Sequence, residues 1–406
     1  MCEINSQAIL SSNYTKMFND LHHHRIFYQT KALNGLYFSI FIMNLAESMI
    51  SIFVPIYLYT HGYSLAHVIL FFLISNIASV LGAIPAAHLV TKIGPRLAIL
   101  FSTPFLILYY FGLPIITSFP ILFFLLPIIL AGRVLLYNFG FDLNFIAHAD
   151  RQNLGSELSY IAIVGMAAGI AAPFLAGFII LFFTYQTLFL IGSFLLVLSV
   201  IPLFFSSSPN QNVSFKSKKV FQLAQTKTIF PVLLSFGGYA IESSIGRIVW
   251  PIFLIIIVGT TNKVGSIVTV SALLTVFVIA VVGKLTDRLK PSHLLQWGTA
   301  LYFLGWLGSV LATTTATVFL ADSYRKIIER FILLPWSASF YRLTLNSVYF
   351  ESVVLRDMVF NGSRVLVLPF LMMVSVFSSH PYAIMFIIAS FGTLFYPLII
   401  RRQVLA

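Results

Sequence analysis

Residues 47–58 read ESMISIFVPIYL and residues 242–254 read ESSIGRIVWPIFL. In the first, Glu47-Ser48 is followed by Pro55-Ile56-Tyr57-Leu58; in the second, Glu242-Ser243 is followed by Pro251-Ile252-Phe253-Leu254. Further pairs fall in step with these. Pro173-Phe174-Leu175 recurs as Pro369-Phe370-Leu371, Gly165 corresponds to Gly362 and Arg133 to Arg330, all at offsets of 195 to 197. Matches kept in order at nearly constant offset mark the two halves of the chain as copies of one unit.

The duplicated unit is apolar. Of 406 residues 59% are hydrophobic and 9% charged, and the mean hydropathy of +0.96 is beyond what a water-facing surface tolerates. Soluble enzymes and nucleic-acid-binding proteins are thereby excluded. Apolar runs recur from Leu36 to Ile400 with one sizeable polar gap, so the chain is polytopic. The runs are continuous rather than alternating: Ile121 to Leu130 holds one proline and no polar residue. That pattern calls for helices, not a barrel.

Apolar runs between turn signals predict spans at 35–59, 66–88, 97–116, 120–142, 157–183, 186–205, 229–258, 264–285, 292–312, 316–341, 354–378 and 381–400. The expected fold is an all-α polytopic membrane protein whose twelve transmembrane helices form two pseudo-symmetric six-helix bundles. Its parts are a tail (1–34), a first half (35–205), a polar basic linker (206–228) and a second half (229–402). Six helices separate the copies, so both share one membrane orientation.

The formal charge is +12, from 24 Lys and Arg against 12 Asp and Glu. Most cations, including Lys92, Arg96, Lys216, Lys218, Lys219, Lys227 and Arg356, fall on the side of the linker, against Lys263 alone on the other. The positive-inside rule then makes the linker and both termini cytoplasmic, and the charge needs no polyanionic partner. The single cysteine, Cys2, leaves no internal disulfide or thiolate cluster. The N-terminal segment shows no apolar h-region, so no cleavable signal peptide is expected.

A charge near the bilayer centre costs about 2.5–3.5 kcal/mol even on a lenient scale, so each needs a reason. Predicted spans contain Glu47, Arg133, Glu242, Arg247, Asp322, Arg325, Lys326, Glu329, Arg330 and Arg364. All but Arg364 lie on spans one, four, seven and ten. On span ten, Asp322, Arg325, Lys326, Glu329 and Arg330 share one helical stripe, away from Leu320, Tyr324, Ile328 and Phe331. In that stripe Asp322 and Glu329 are spaced to pair with neighbouring cations and orient Arg325 and Arg330, one cation remaining for an anion. Glu47 and Glu242, related by the repeat, are expected at similar depth facing one cavity, either as proton carriers or as members of structural ion pairs.

The loop after span eight reads Gly283-Lys284-Leu285-Thr286-Asp287-Arg288, with Lys290 beyond it. The loop after span two, Ala87 to Arg96, keeps Lys92, Gly94 and Arg96 but has Thr91 where an acid would stand. With six plus six helices and a central linker, the chain resembles the major facilitator superfamily over essentially its whole length. Arg133 is similar to that family's intramembrane arginine, although Tyr137 replaces a glycine. Ala168-x-x-x-Ala172-Pro173-x-x-Ala176-Gly177 is similar to the exporters' glycine-proline signature, or is a small-residue helix interface. The resemblance implies alternating access around a cavity lined by spans one, four, seven and ten, with Lys92, Gly94, Arg96, Gly283, Asp287 and Arg288 as gating-loop residues.

The function expected is secondary transport of a small solute, coupled to protons, without a cofactor, by a monomer in a bacterial-type inner (plasma) membrane. Six basic against four acidic intramembrane residues favour an organic anion. A drug-type proton antiporter exporting amphipathic compounds is the alternative, suggested by the 16% aromatic content, and a transporter-like receptor without transport is a third. No Gly-x-x-x-x-Gly-Lys-Ser/Thr, His-Glu-x-x-His or Gly-x-Ser-x-Gly pattern is present, so neither ATP-driven pumping nor an enzyme is expected.

The charge asymmetry makes a direct prediction. A cysteine at Ser208, in a chain whose Cys2 is replaced by serine, should stay unlabelled by an impermeant maleimide in intact cells and react after permeabilisation. Labelling from outside would invert the topology.

Overall fold

The computed structural model describes residues 31–148, 154–204, 215–286, 291–344 and 349–402, and these are helical almost throughout, with no strand among them. In the first half run α1 (Lys31–Ser51), α2 (Phe53–Thr60), α3 (Leu65–Ile93), α4 (Pro95–Gly112), α5 (Leu122–His148), α6 (Leu154–Phe182) and α7 (Tyr185–Phe204). Then come α8 (Ser217–Gln225), α9 (Phe230–Ser244), α10 (Trp250–Val258), α11 (Thr261–Thr286), α12 (Pro291–Ser309), α13 (Thr315–Thr344), α14 (Tyr349–Phe377) and α15 (Pro381–Thr393). A 3-10 turn, Tyr396–Arg402, follows.

Among the described residues, eight helical segments are long and apolar enough to cross a membrane, including Leu65–Ile93, Phe230–Val258 and Pro381–Ile400. The spans expected at 157–183, 186–205, 292–312 and 316–341 coincide with α6, α7, α12 and α13. Apolar stretches Ala167–Phe182 and Tyr185–Ile201 lie within α6 and α7, and α13 carries the charged stripe. The linker range also holds a helix, α8, where sequence suggested only turns.

The repeated prolines interrupt the helix in both copies. Proline has no amide hydrogen and its ring crowds the carbonyl four residues back. Accordingly α1 stops at Ser51, four residues before Pro55. Arg247, four before Pro251, lies in a π-helical turn, Ile245–Val249, that joins α9 to α10.

Packing within one half is repeated in the other. In the first, α1 packs on α6 and α7, α4 on α5 and α7, and α3 on α5; in the second, α9 packs on α14 and α15, α12 on α13 and α15, and α11 on α13. The most extensive crossings between halves are α3 with α14 and α6 with α11, and α2 with α10 and α5 with α14 also touch. Exchanging the halves by the sequence offset converts the first of these pairs into the second. Outward faces carry large apolar side chains such as Leu366, 81% exposed, and Phe377, 83% exposed, a surface suited to lipid.

The α6–α11 crossing is made by small residues. A Cβ on Gly265 would lie 2.3 Å from the Pro173 carbonyl oxygen, and one on Gly177 would lie 3.1 Å from that of Thr261. The Thr269 hydroxyl donates to the Ile170 carbonyl at 3.0 Å nearby. The Pro173-Gly177 pattern thus serves here as a close helix interface. Gly265→Ala should therefore force the helices apart and lower stability by about 1–3 kcal/mol, read as a lower unfolding temperature in detergent. Gly308→Ala, at a glycine with nothing within 4 Å, should not.

Candidate functional site

Polar groups gather where α9, α12 and α13 meet. Glu242 is buried near the end of α9. Its Oε1 accepts from the Tyr302 hydroxyl at 2.8 Å and from Trp306 Nε1–H at 3.1 Å, and its Oε2 accepts from the Tyr396 hydroxyl at 2.8 Å. Tyr302 and Trp306 are one turn apart on α12, so one helix face supplies both donors. Among the described residues no cation pairs with Glu242.

One turn away the pattern repeats with a second indole. Trp250 Nε1–H donates to Asp322 Oδ1 at 2.9 Å, and Lys326 Nζ reaches Asp322 Oδ2 at 2.7 Å and the Val268 carbonyl at 3.3 Å. Arg325 lies between the two assemblies. Its guanidinium carbon is 3.7 Å from the Trp250 ring centre and 3.9 Å from that of Trp306, and the rings stand at 82°, so the charge sits in a corner of two indoles. Gly305 leaves room for it, since a Cβ there would come within 3.0 Å of Arg325 Cγ. Each tryptophan thus holds a carboxylate by its edge and the same guanidinium by its face.

This revises the expected role of the α13 stripe. Asp322 pairs with Lys326, one of the two partners its spacing allows, and Arg325 is buried against aromatic rings. Glu329 is half-buried and Arg330 exposed, and neither forms an ion pair with any described residue. Two helical turns separate Arg330 from Asp322, and the stripe diverges over that length.

The accessible cations lie beside it. Arg247, in the π turn, is exposed and donates to the Tyr239 hydroxyl at 3.2 Å. Arg364 on α14 is half-buried and donates to the Ser243 hydroxyl at 3.2 Å. No described carboxylate pairs with either guanidinium.

The first half handles its glutamate differently. Glu47 on α1 forms an ion pair with the buried Arg133 of α5, whose guanidinium also lies 4.5 Å from the Tyr137 ring centre. Tyr137, the residue that departs from the family pattern, therefore supports the arginine. Glu47 and Glu242 correspond in the repeat, yet one is neutralised by a cation and the other is held by neutral donors.

On the linker side, the halves are joined by charges that sequence reading passed over. Arg356 of α14 donates to Asp142 of α5 at 2.9 Å and to its neighbour Asp357 at 3.1 Å. Asn138 donates to Asp357 at 3.3 Å. Both carboxylates are buried, and Phe139 meets Phe350 edge-on at 5.8 Å beside them. The sequence places Arg356 among the linker-side cations, and the signal it offers for the bridge is an adjacent Arg-Asp pair opening an apolar run.

The first signature loop is a one-residue turn at Gly94, whose φ of +88° favours glycine, followed by Pro95 at the start of α4. Lys92 is exposed, Arg96 half-buried, and Thr91 bonds the carbonyls of Ala87 and His88 in its own helix. Gly283 falls in the last turn of α11, and Asp287 and Arg288 lie outside the described residues.

No protein-family model matches the chain, and neither does any curated protein. Solved structures do. A POT family transporter in complex with 5-aminolevulinic acid superposes with a TM-score of 0.71 at 13% identity, covering 94% of this chain and 98% of that one. The nucleoside transporter NupG gives 0.67 at 11%, covering 91% and 98%. FucP, the Escherichia coli fucose:proton symporter, a major facilitator superfamily transporter, gives 0.64 at 14% with the same coverage. The fold is that of the major facilitator transporters. Within it, the pairing of α3 with α14 and α6 with α11 is the seam between halves, and the Asp142–Arg356 bridge crosses it.

Removing one partner of a buried ion pair strands the other, at about 3–5 kcal/mol. Arg356→Gln should therefore destabilise the purified protein, and adding Asp142→Asn should recover part of the loss. Strict additivity of the two in thermal unfolding would mean the bridge carries no coupling.

Proposed function

We propose that the chain is a secondary transporter that spans the membrane twelve times as two six-helix halves and moves a small organic anion by alternating access, coupled to protons. The observation that carries the anion is the placement of Arg247 and Arg364: their guanidiniums are held by the neutral hydroxyls of Tyr239 and Ser243, one turn apart on α9, and no described carboxylate pairs with either. A carboxylate or phosphate between them satisfies planar donors suited to bidentate contact. This moves the proposed anion contacts from Arg325 and Arg330 to Arg247 and Arg364.

Proton coupling is assigned to Glu242 and withdrawn from Glu47. A carboxylate paired with a buried arginine, as Glu47 is with Arg133, keeps its charge because protonating it would strand the cation. Glu242 has hydroxyl and indole donors only, so it can take up a proton without leaving a buried cation unmatched. Alternating access is supported by contacts between halves at both ends, the Asp142–Arg356 bridge on the linker side and the packing of α2 on α10 on the other. One end must part for solute to pass.

The test is uptake into proteoliposomes of a panel of organic anions, sugars, amino acids and cationic drugs, with and without a pH gradient. An organic anion should accumulate when a gradient is imposed. Arg247→Gln and Arg364→Gln should each weaken its binding at least about tenfold. Glu242→Gln should abolish the response to the gradient while exchange of internal for external solute continues. Accumulation of cations instead would favour the exporter reading, and binding without any accumulation the receptor.

A further inference from the structure

We propose that α8, the helix within the linker, is an amphipathic foot that docks on the headgroups of anionic lipids. Its buried side is fixed. Val220 is buried, the helix packs on α14, and the Phe215 ring just before it meets His88 of α3 at 4.8 Å and Phe350 of α14 at 5.5 Å. The opposite stripe, Lys218, Phe221, Gln222 and Gln225, follows helical spacing and is exposed throughout.

Two observations point that stripe at a lipid surface. The first is charge. Lys216, Lys218 and Lys227 are exposed and Lys219 half-buried, and no acidic residue occurs in the sequence between Glu157 and Glu242. Lys92, also exposed, lies one turn beyond His88. A basic cluster without counter-charge is matched by a surface of phosphate groups. The second is depth. A 3-10 turn, Lys227–Ile229, advances only about 6 Å before α9 begins with Phe230, 59% exposed, and Leu234, which belong to the apolar outer belt. Phe221, 52% exposed on the lysine-bearing stripe, is therefore placed at the edge of that belt. An aromatic ring there inserts among acyl chains while the lysines reach headgroups.

The experiment is amide hydrogen exchange on the full-length protein in phosphatidylcholine nanodiscs containing increasing phosphatidylglycerol. Both leaflets of a disc carry the same lipid, so the result is independent of membrane orientation and of any transport activity. Exchange of residues 217–225 should slow as phosphatidylglycerol is added. The half-saturating fraction should rise about fivefold for each lysine replaced by glutamine among Lys216, Lys218 and Lys227, the factor that about 1 kcal/mol per basic residue represents. Phe221→Ala should raise it as well. At about 0.5 M salt, where screening shortens to a few ångströms, the wild-type protection should largely disappear, and this arm stands even if a variant does not fold. Equal exchange in both lipids, or protection that withstands both salt and the lysine replacements, overturns the proposal. So does protection produced only by added polyglutamate, which would assign the face to an acidic protein partner.

Discussion

An ion inside a bilayer must be matched by another ion, by hydrogen-bond donors or by water, because the surrounding hydrocarbon supplies none of these. Every buried charge described here obeys that constraint, and the way each obeys it separates their roles. Arg133 and Glu47 neutralise each other. Asp322 takes Lys326 and an indole, while Arg325 is matched by two aromatic faces. Glu242 is matched by donors without charge, and Arg247 and Arg364 by hydroxyls alone. Among the described residues, these last three hold their charge against neutral protein groups, so something outside the protein can complete it.

The duplication supplies the frame in which this asymmetry has meaning. A common ancestor unit with glutamate, proline and helix-packing positions in register gives two halves with the same internal contacts. Divergence then acts on partners rather than on the frame. In the first half Arg133 reaches Glu47, and the corresponding arginine of the second half, Arg330, is exposed and leaves Glu242 to Tyr302, Trp306 and Tyr396. The proline device is retained in both copies but used differently. At Pro55 it ends α1, whereas at Pro251 it opens a π turn that presents Arg247.

Much of the frame was legible in the sequence because it is written in local patterns. Apolar runs, prolines and the offset of repeats locate helices without knowledge of their neighbours. The charges on spans one, four, seven and ten were likewise visible as costs that demand explanation. Partners were not legible, since they depend on which helices touch. Nothing in the spacing of Trp250 and Trp306 tells that they flank Arg325 from different helices; the spacing on α13 allowed Asp322 either Arg325 or Lys326, and only its neighbours show that Lys326 takes it. Asp142 and Arg356, more than two hundred residues apart, sit at helix ends where a solvated role is the ordinary expectation. Helix α8 was hidden for a related reason: a short, lysine-rich segment has a helical face only when a neighbour such as α14 gives it something to bury.

The seam between the halves combines two kinds of contact that respond oppositely to opening. At Gly265 and Gly177 the backbones of α6 and α11 touch through small, nearly featureless surfaces, so they can slide or rotate with little change in buried area. The Asp142–Arg356–Asp357 cluster cannot deform in this way. Its ion pairs are short-range and directional, and separating them is costly until water enters to replace each partner. A seam built from a smooth contact and a polar latch therefore has few stable arrangements: latch closed and dry, or latch open and wet. Intermediate separations retain the desolvation cost without the pairing. Such a seam is what the alternating-access cycle proposed above would require of its two halves, and it would follow from where one arginine and two aspartates lie on α5 and α14.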